Sequence, residues 1–146
     1  MTGAALLSAR GLTLVRQGRR LVADVSLDLP ACGAVALIGP NGAGKSSLLN
    51  LLAGQVAPSA GGVFWQGRPL AACSVHERAQ RMGYMPQRFD PYWDLTLADL
   101  VDMRVHGRAP TAQILEHAGL QAFAARRWST LSGGERARGM LAAVLA

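Results

Sequence analysis

The chain has 146 residues, half of them hydrophobic, which suffices for one domain with a packed core and not for two full ones. It has no apolar run of about eighteen residues or more, so no membrane-spanning helix is expected, and residues 1–10 lack the basic leader and apolar stretch of a signal peptide, so a cytosolic chain is expected. A net charge of +6 and a pI near 10.6 invite a nucleic-acid reading, but the arginines are scattered in runs of two at most and no recognition module accompanies them. A solvated basic surface with some attraction to anionic lipid headgroups is expected, and no nucleic-acid partner.

Leu12-Thr-Leu-Val15 alternates as a strand does, a turn follows around Gly18, and Val25-Ser-Leu-Asp-Leu29 alternates again. Cys32 and Cys73 lack CxxC spacing and are read as reduced, buried thiols. Ala34-Val-Ala-Leu-Ile38 is a short apolar run, predicted as a strand buried on both faces. Next comes Gly39-Pro-Asn-Gly-Ala-Gly-Lys-Ser46, which fits G-x-x-x-x-G-K-[ST] at every fixed position. Lys45 is the only lysine of the chain; the other fourteen side-chain cations are arginines. An ammonium is a compact point charge on a flexible stem, suited to reaching nucleotide phosphates, whereas a planar guanidinium would need a different cradle.

The residues after the loop, Ser46 to Ala53, place leucines at 48, 49, 51 and 52 on a broad helical stripe closed by Gly54. Strand, glycine loop and helix is the order a phosphate cradle requires: Gly42 and Gly44 let backbone N–H groups turn inward, and the helix N-terminus adds partial positive charge. Gly39, Pro40, Asn41, Gly42, Ala43, Gly44, Lys45, Ser46 and Ser47 are therefore the candidate nucleotide-binding residues, with the Ser46 hydroxyl offered to Mg²⁺.

Gly61 to Leu70 is read as a short strand ending in a Gly67 turn, and Ser74-Val-His-Glu77 is a capping box opening a brief helix. Gly83-Tyr-Met85 is predicted to resume strand before Pro86. Beyond Gln87 the character turns helical: Thr96-Leu-Ala-Asp99 is box-like, and a helix from Thr111 to Ala118 stops at Gly119. His76, His106 and His117 fall on separate segments and suggest no metal site. Finally Leu131-Ser-Gly-Gly-Glu135 starts a helix through Met140, Leu141, Val144 and Leu145. Two glycines after a serine at a helix start are bare N–H donors suited to an anion, though on its own this stretch is better read as a simple serine N-cap with a Gly-Gly entry.

Gly39–Ser46, Met85-Pro-Gln87 and Leu131–Glu135, in that order, resemble the ATPase subunits of ABC transporters. The resemblance runs along the whole chain. It implies an α/β fold of the P-loop NTPase type with a small helical subdomain, and ATP and Mg²⁺ as cofactors. The loop would hold ATP, Gln87 would contact Mg²⁺ and the attacking water, and Leu131, Ser132, Gly133, Gly134 and Glu135 would form the signature that meets the γ-phosphate of a second ATP-binding subunit. A membrane-spanning subunit is the other implied partner, with the chain peripheral on the cytoplasmic face. Where the family has an adenine-stacking aromatic after the first strand, this chain has Arg16, so stacking there is guanidinium-based or absent.

The chain ends at Ala146 inside the signature helix, whereas family members continue into an apolar strand ending in Asp-Glu and then a switch histidine. The resemblance thus implies a partial nucleotide-binding domain over 1–146, with a β-rich core portion at 1–87 and a helical portion at 88–146. Such a chain is expected to be inactive alone: either a piece of a transport ATPase or a non-hydrolytic module that modulates one. A soluble P-loop kinase has no reason to carry Leu131–Glu135. Gln87 to Val101, with Arg88, Phe89, Asp90 and Trp93, is similar to the segment found in importers of metals and metal chelates. Phe89, Tyr92 and Trp93 would pack the helical core, form a docking groove for a membrane-subunit helix, or both.

Overall fold

The computed structural model describes residues 5–87, 89, 91–105 and 110–145. Arg88, Asp90, His106 and Arg108 lie outside the described residues. The chain divides into two compact units, Met1–Met82 and Gly83–Ala146, so Gln87 belongs to the second.

The first unit carries a four-stranded antiparallel sheet in the order β2-β1-β3-β4, built from β1 (Leu7–Arg16), β2 (Arg19–Leu29), β3 (Ala60–Trp65) and β4 (Arg68–Pro69). Along β1 the buried positions change parity, from Leu7 and Ala9 to Leu12 and Leu14. Between them Gly11 stands at φ 58°, where β1 slips register against both neighbours. This bulge keeps four apolar side chains on one face; an unbroken strand would turn the last two to the other side. Helix α1 (Lys45–Leu52) lays Leu48, Leu51 and Leu52 into the same core, joined by Val22, Val63 and Leu70. Leu49, expected on the apolar stripe, falls off the buried arc and is exposed. Helix α2 (Val75–Arg81) completes the unit.

Two expected strands do not form. Residues 34–38 run without regular structure, with Val35 64% and Ile38 90% exposed, and 83–85 are likewise irregular. An apolar run becomes a strand only where a neighbouring strand takes up its N–H and C=O groups, and neither segment joins the described sheet. Cys32, expected buried, is exposed in the bend that opens the first of these stretches, while Cys73 is half-buried; both are free thiols.

The second unit packs α3 (Leu97–Val105), α4 (Thr111–His117) and α5 (Gly133–Leu145) around Leu97, Val101, Leu115, Leu120, Trp128 and Met140. At the α3–α5 crossing a Cβ on Gly139 would lie 2.6 Å from Leu97 Cδ1, so the small residue sets how closely the helices approach. Phe89 stands edge-on to Trp128 at 5.7 Å with Arg104 over its ring at 4.8 Å. Core packing therefore accounts for Phe89, and not for Tyr92 or Trp93, which are 95% and 65% exposed. Leu141 and Leu145 of the signature helix are exposed too.

Three helix starts are closed reciprocally by a side chain and a carboxylate. Ser74 N–H donates to Glu77 Oε2 at 2.8 Å and Glu77 N–H to Ser74 Oγ at 3.1 Å. Thr96 N–H donates to Asp99 Oδ2 and Asp99 N–H to Thr96 Oγ1, both at 3.1 Å. Ser132 N–H donates to Glu135 Oε2 at 2.6 Å and Glu135 N–H to Ser132 Oγ at 3.3 Å. Backbone donation from Ser74 and Ser132 holds Glu77 and Glu135 below the ordinary glutamate value of 4.5, and the Thr96 hydroxyl holds Asp99 below 3.8.

Two measurements probe this framework. Leu51 is 1% exposed, so Leu51→Ala should cost about 2–5 kcal/mol in urea unfolding of the first unit; an unchanged midpoint would remove α1 from the core. A carboxylate with a depressed folded pKa adds stability that is present above its unfolded pKa and lost as pH falls through the folded one. Stability should therefore decline as pH drops below 4.5, and Glu135→Gln should lower the urea midpoint at neutral pH while flattening part of that acid decline. An acid decline identical to that of the unsubstituted chain would dismiss the Glu135 cap.

Candidate nucleotide-binding site

Residues Gly39–Ser47 come together as one loop at the start of α1. Gly44 stands at φ 83°, and a Cβ there would lie 2.2 Å from the carbonyl oxygen of Leu21 on β2, so the loop backbone is seated directly on the sheet's edge strand. Gly42 shares the same φ of 83° and carries the turn just before. The Lys45 ammonium folds back to donate to the carbonyls of Gly39 at 2.8 Å and Pro40 at 2.6 Å. Two of its three hydrogens thus fasten the loop, and the third remains for an anion.

No side chain caps α1 and its first turn holds no acidic residue. Its first bond is from Leu48 N–H to Gly44 C=O at 2.8 Å, so the N–H groups of Lys45, Ser46 and Ser47 have no partner among the described residues. Together with the helix dipole they form a site for negative charge. Ser46 is exposed, and its hydroxyl has no partner among the described residues. A cavity of about 290 Å³ reaches from Gly44, Lys45 and Leu48 to Leu21, Val22 and Ile38. These features fit a Mg²⁺-nucleotide: the donor set is made of backbone N–H groups, one ammonium and one free hydroxyl, with no carboxylate to repel phosphate.

The other predicted residues lie in the second unit. Gln87 is exposed in a bend just before Phe89. Leu131 is buried and anchors the signature, while Ser132, Gly133 and Gly134 face solvent at the start of α5. A Cβ on Gly133 or Gly134 would meet nothing within 4 Å, and neither residue needs a positive φ. Neither packing nor conformation of this chain asks for glycine there; close approach by something outside it would.

The motif is held stiffly from behind. Arg136 Nε donates to Trp128 C=O at 3.0 Å and its Nη2 to Ser129 C=O at 2.8 Å, Arg126 Nη2 donates to Thr130 C=O at 2.6 Å, and Ser129 N–H donates to Asp94 Oδ1 at 3.0 Å. Sequence reasoning missed Glu135 as the partner of Ser132, although S-x-x-E is itself the signal of a capping box. Among the described residues no cluster of His, Cys, Asp and Glu could hold a metal ion.

A family model described as ABC transporter matches residues 22–146. The chain is 41% identical to the hemin import ATP-binding protein HmuV of Thermobifida fusca, covering 99% of this chain and 55% of that protein. It is 42% identical to the protein of the same description from Bordetella pertussis, covering 96% and 57%. The chain thus spans little more than half the length of these relatives. Among solved structures it is similar to an ATP-binding subunit of an ABC transporter, at 26% identity with a TM-score of 0.79 over 95% of this chain and 61% of that one. The fold also matches a dimeric ATP-binding cassette bound to ADP and Pi, at 23% identity with a TM-score of 0.84 over 96% of this chain and 69% of that one. With the seated glycine loop, the signature at the head of α5 and the family match over most of its length, this chain belongs to the ABC transporter family.

Proposed function

We propose that this chain is the nucleotide-binding part of a subunit that uses ATP to drive import of a metal chelate of the hemin class. The observation that carries the nucleotide reading is the loop itself: Lys45 tied to the Gly39 and Pro40 carbonyls, with three N–H groups open at the head of α1. The import reading rests on the relatives near 41% identity, both described as hemin import ATP-binding proteins. Gln87-Arg-Phe-Asp and Trp93, similar to metal and chelate importers, point the same way.

In this reading the open N–H groups of Lys45, Ser46 and Ser47 cradle the phosphates and the Lys45 ammonium answers the charge of the γ-phosphate. The hydroxyl of Ser46 would hold Mg²⁺, whose part when bound would be to neutralise charge on the phosphate oxygens. Ser132, Gly133 and Gly134 donate to a nucleotide held by a second ATP-binding subunit, which explains two glycines that the chain's own packing does not require. Tyr92 and Trp93, edge-on at 5.6 Å and exposed, are where a membrane-spanning subunit would dock, aromatic anchors being favoured at such contacts. Among the described residues no helix is long and apolar enough to cross a membrane; in this reading the subunit would sit at the cytoplasmic face through that docking.

Calorimetry with Mg·ATP should show Lys45→Ala weakening binding by on the order of ten- to a hundredfold, the worth of a charge-assisted hydrogen bond to phosphate; equal affinity would refute the loop as the nucleotide site. Gly134→Leu should keep the melting temperature and the chain's own ATP affinity, since its Cβ meets nothing. It should abolish any ATP-dependent pairing seen by light scattering, because the side chain fills the space a partner's phosphate needs. Pairing that survives Gly134→Leu would rule out the signature as a donor to the second subunit.

A further inference from the structure

Between α4 and α5 the second unit holds a groove that its own core leaves open. On α5, Met140 and Ala143 turn into the core, whereas Arg138, Leu141 and Leu145, at i, i+3 and i+7, share a face that lines the groove. On α4, Gln113 and His117 stand one turn apart with Ile114 beside them and form the facing wall. The space enclosed is about 440 Å³, within the roughly 300–1,000 Å³ usual for small-molecule sites. Leu141 and Leu145 are 47% and 77% exposed, so one wall is apolar surface left to water.

The polar side chains around that apolar space are not spent within the fold. His117, in the last turn of α4, and the Gln113 amide have no side-chain hydrogen bond among the described residues. Arg138 has neither a hydrogen bond nor an ion pair among them. Glu135, the one carboxylate on α5, is already engaged: it accepts from Ser132 N–H at 2.6 Å and pairs with Arg126 at 3.7 Å. On an ordinary surface three such side chains would simply be hydrated. Set around uncovered leucines, they describe a ligand.

That ligand has an apolar body, carboxylate for Arg138 and Gln113, and a metal for a ring nitrogen of His117. An iron porphyrin meets all three demands: its macrocycle lies on Leu141, Leu145 and Ile114, its propionates reach the guanidinium, and its iron takes the imidazole as axial ligand. The macrocycle itself supplies four of the iron's ligands. One histidine therefore suffices, although no cluster of His, Cys, Asp and Glu among the described residues could hold a bare ion. A simple fatty acid would use Arg138 and the leucines and leave His117 idle. Resting on the import reading above, which makes an iron porphyrin the cargo, we infer that the α4–α5 groove binds that cargo through His117 and Arg138. The site lies on the helix that opens with Ser132–Gly134, so arriving cargo is met by the element that carries the signature.

The test is an absorbance titration of the purified protein with hemin and with iron-free protoporphyrin, repeated for His117→Ala, Arg138→Gln and Leu141→Glu. All three positions are exposed, so the melting temperature should not move. Expected are saturable hemin binding with a sharpened, shifted Soret band, and loss of that band in His117→Ala with affinity falling to the level of protoporphyrin. Protoporphyrin should bind His117→Ala and the unsubstituted chain alike. Arg138→Gln should weaken both porphyrins by about tenfold or more, the worth of a charge-assisted hydrogen bond, and Leu141→Glu should weaken both as well. A Soret band and affinity unmoved by His117→Ala, or uptake that does not saturate, would overturn the site as mere adsorption. Hemin uptake by cells carrying the Lys45→Ala chain reads the import reading separately. No hemin binding by the protein, with uptake still lost in Lys45→Ala, would overturn the groove and leave import standing. His117-dependent binding, with uptake indifferent to Lys45→Ala, would keep the groove and refute import.

Discussion

The seat of Gly44 on the Leu21 carbonyl is the contact on which the rest of the first unit's site depends. A single methyl group at 44 would collide with backbone, not with a side chain that could swing away, so no other residue can be accommodated without moving loop or strand. That contact fixes where α1 begins and hence which three N–H groups are left open. It also fixes the depth to which Leu48, Leu51 and Leu52 reach beneath the sheet. Burial of these leucines holds the helix down, and the tethered lysine holds the loop's far side. Binding geometry and core packing are in this way two ends of one short segment.

The second unit solves a different problem, presenting a bare helix start without letting it fray. Its glycines cannot cap themselves, so the work is done by neighbours: Ser132 and Glu135 close the first turn, and Arg126, Arg136 and Asp94 tie the preceding turn to it. Each of these bonds engages a backbone N–H or C=O of the motif or of the turn before it. The outward N–H groups of Gly133 and Gly134 are left alone by the whole network.

How much of this could be read from the sequence depends on where the determining partner lies. The phosphate loop and the Ser74 and Thr96 boxes were legible because each is specified within a few residues: φ-tolerant glycines, one lysine, a hydroxyl three places before a carboxylate. The strands at 34–38 and 83–85 were not, because a strand is a property of two segments and apolar composition names only one of them. The β1 bulge escaped for a related reason. Alternation around Leu12 and Leu14 was visible, but its change of phase at Gly11 depends on register against β2 and β3. Burial of Cys32 failed with the strand it was expected to precede. At the signature, attention to the glycines as anion donors hid the ordinary capping role of the glutamate beside them.

The three tryptophans occupy three unlike surroundings. Trp65 is half-buried on β3 with Arg81 over its ring, Trp128 is sealed in the helical core, and Trp93 stands in solvent beside Tyr92. Intrinsic fluorescence of this chain is therefore already a three-channel signal. A soluble quencher reaches Trp93 first, so shielding of that component alone reports contact at the aromatic pair, while a red shift of the protected component marks opening of the helical core. The chain carries its own spectroscopic labels, placed where docking and unfolding would be felt separately.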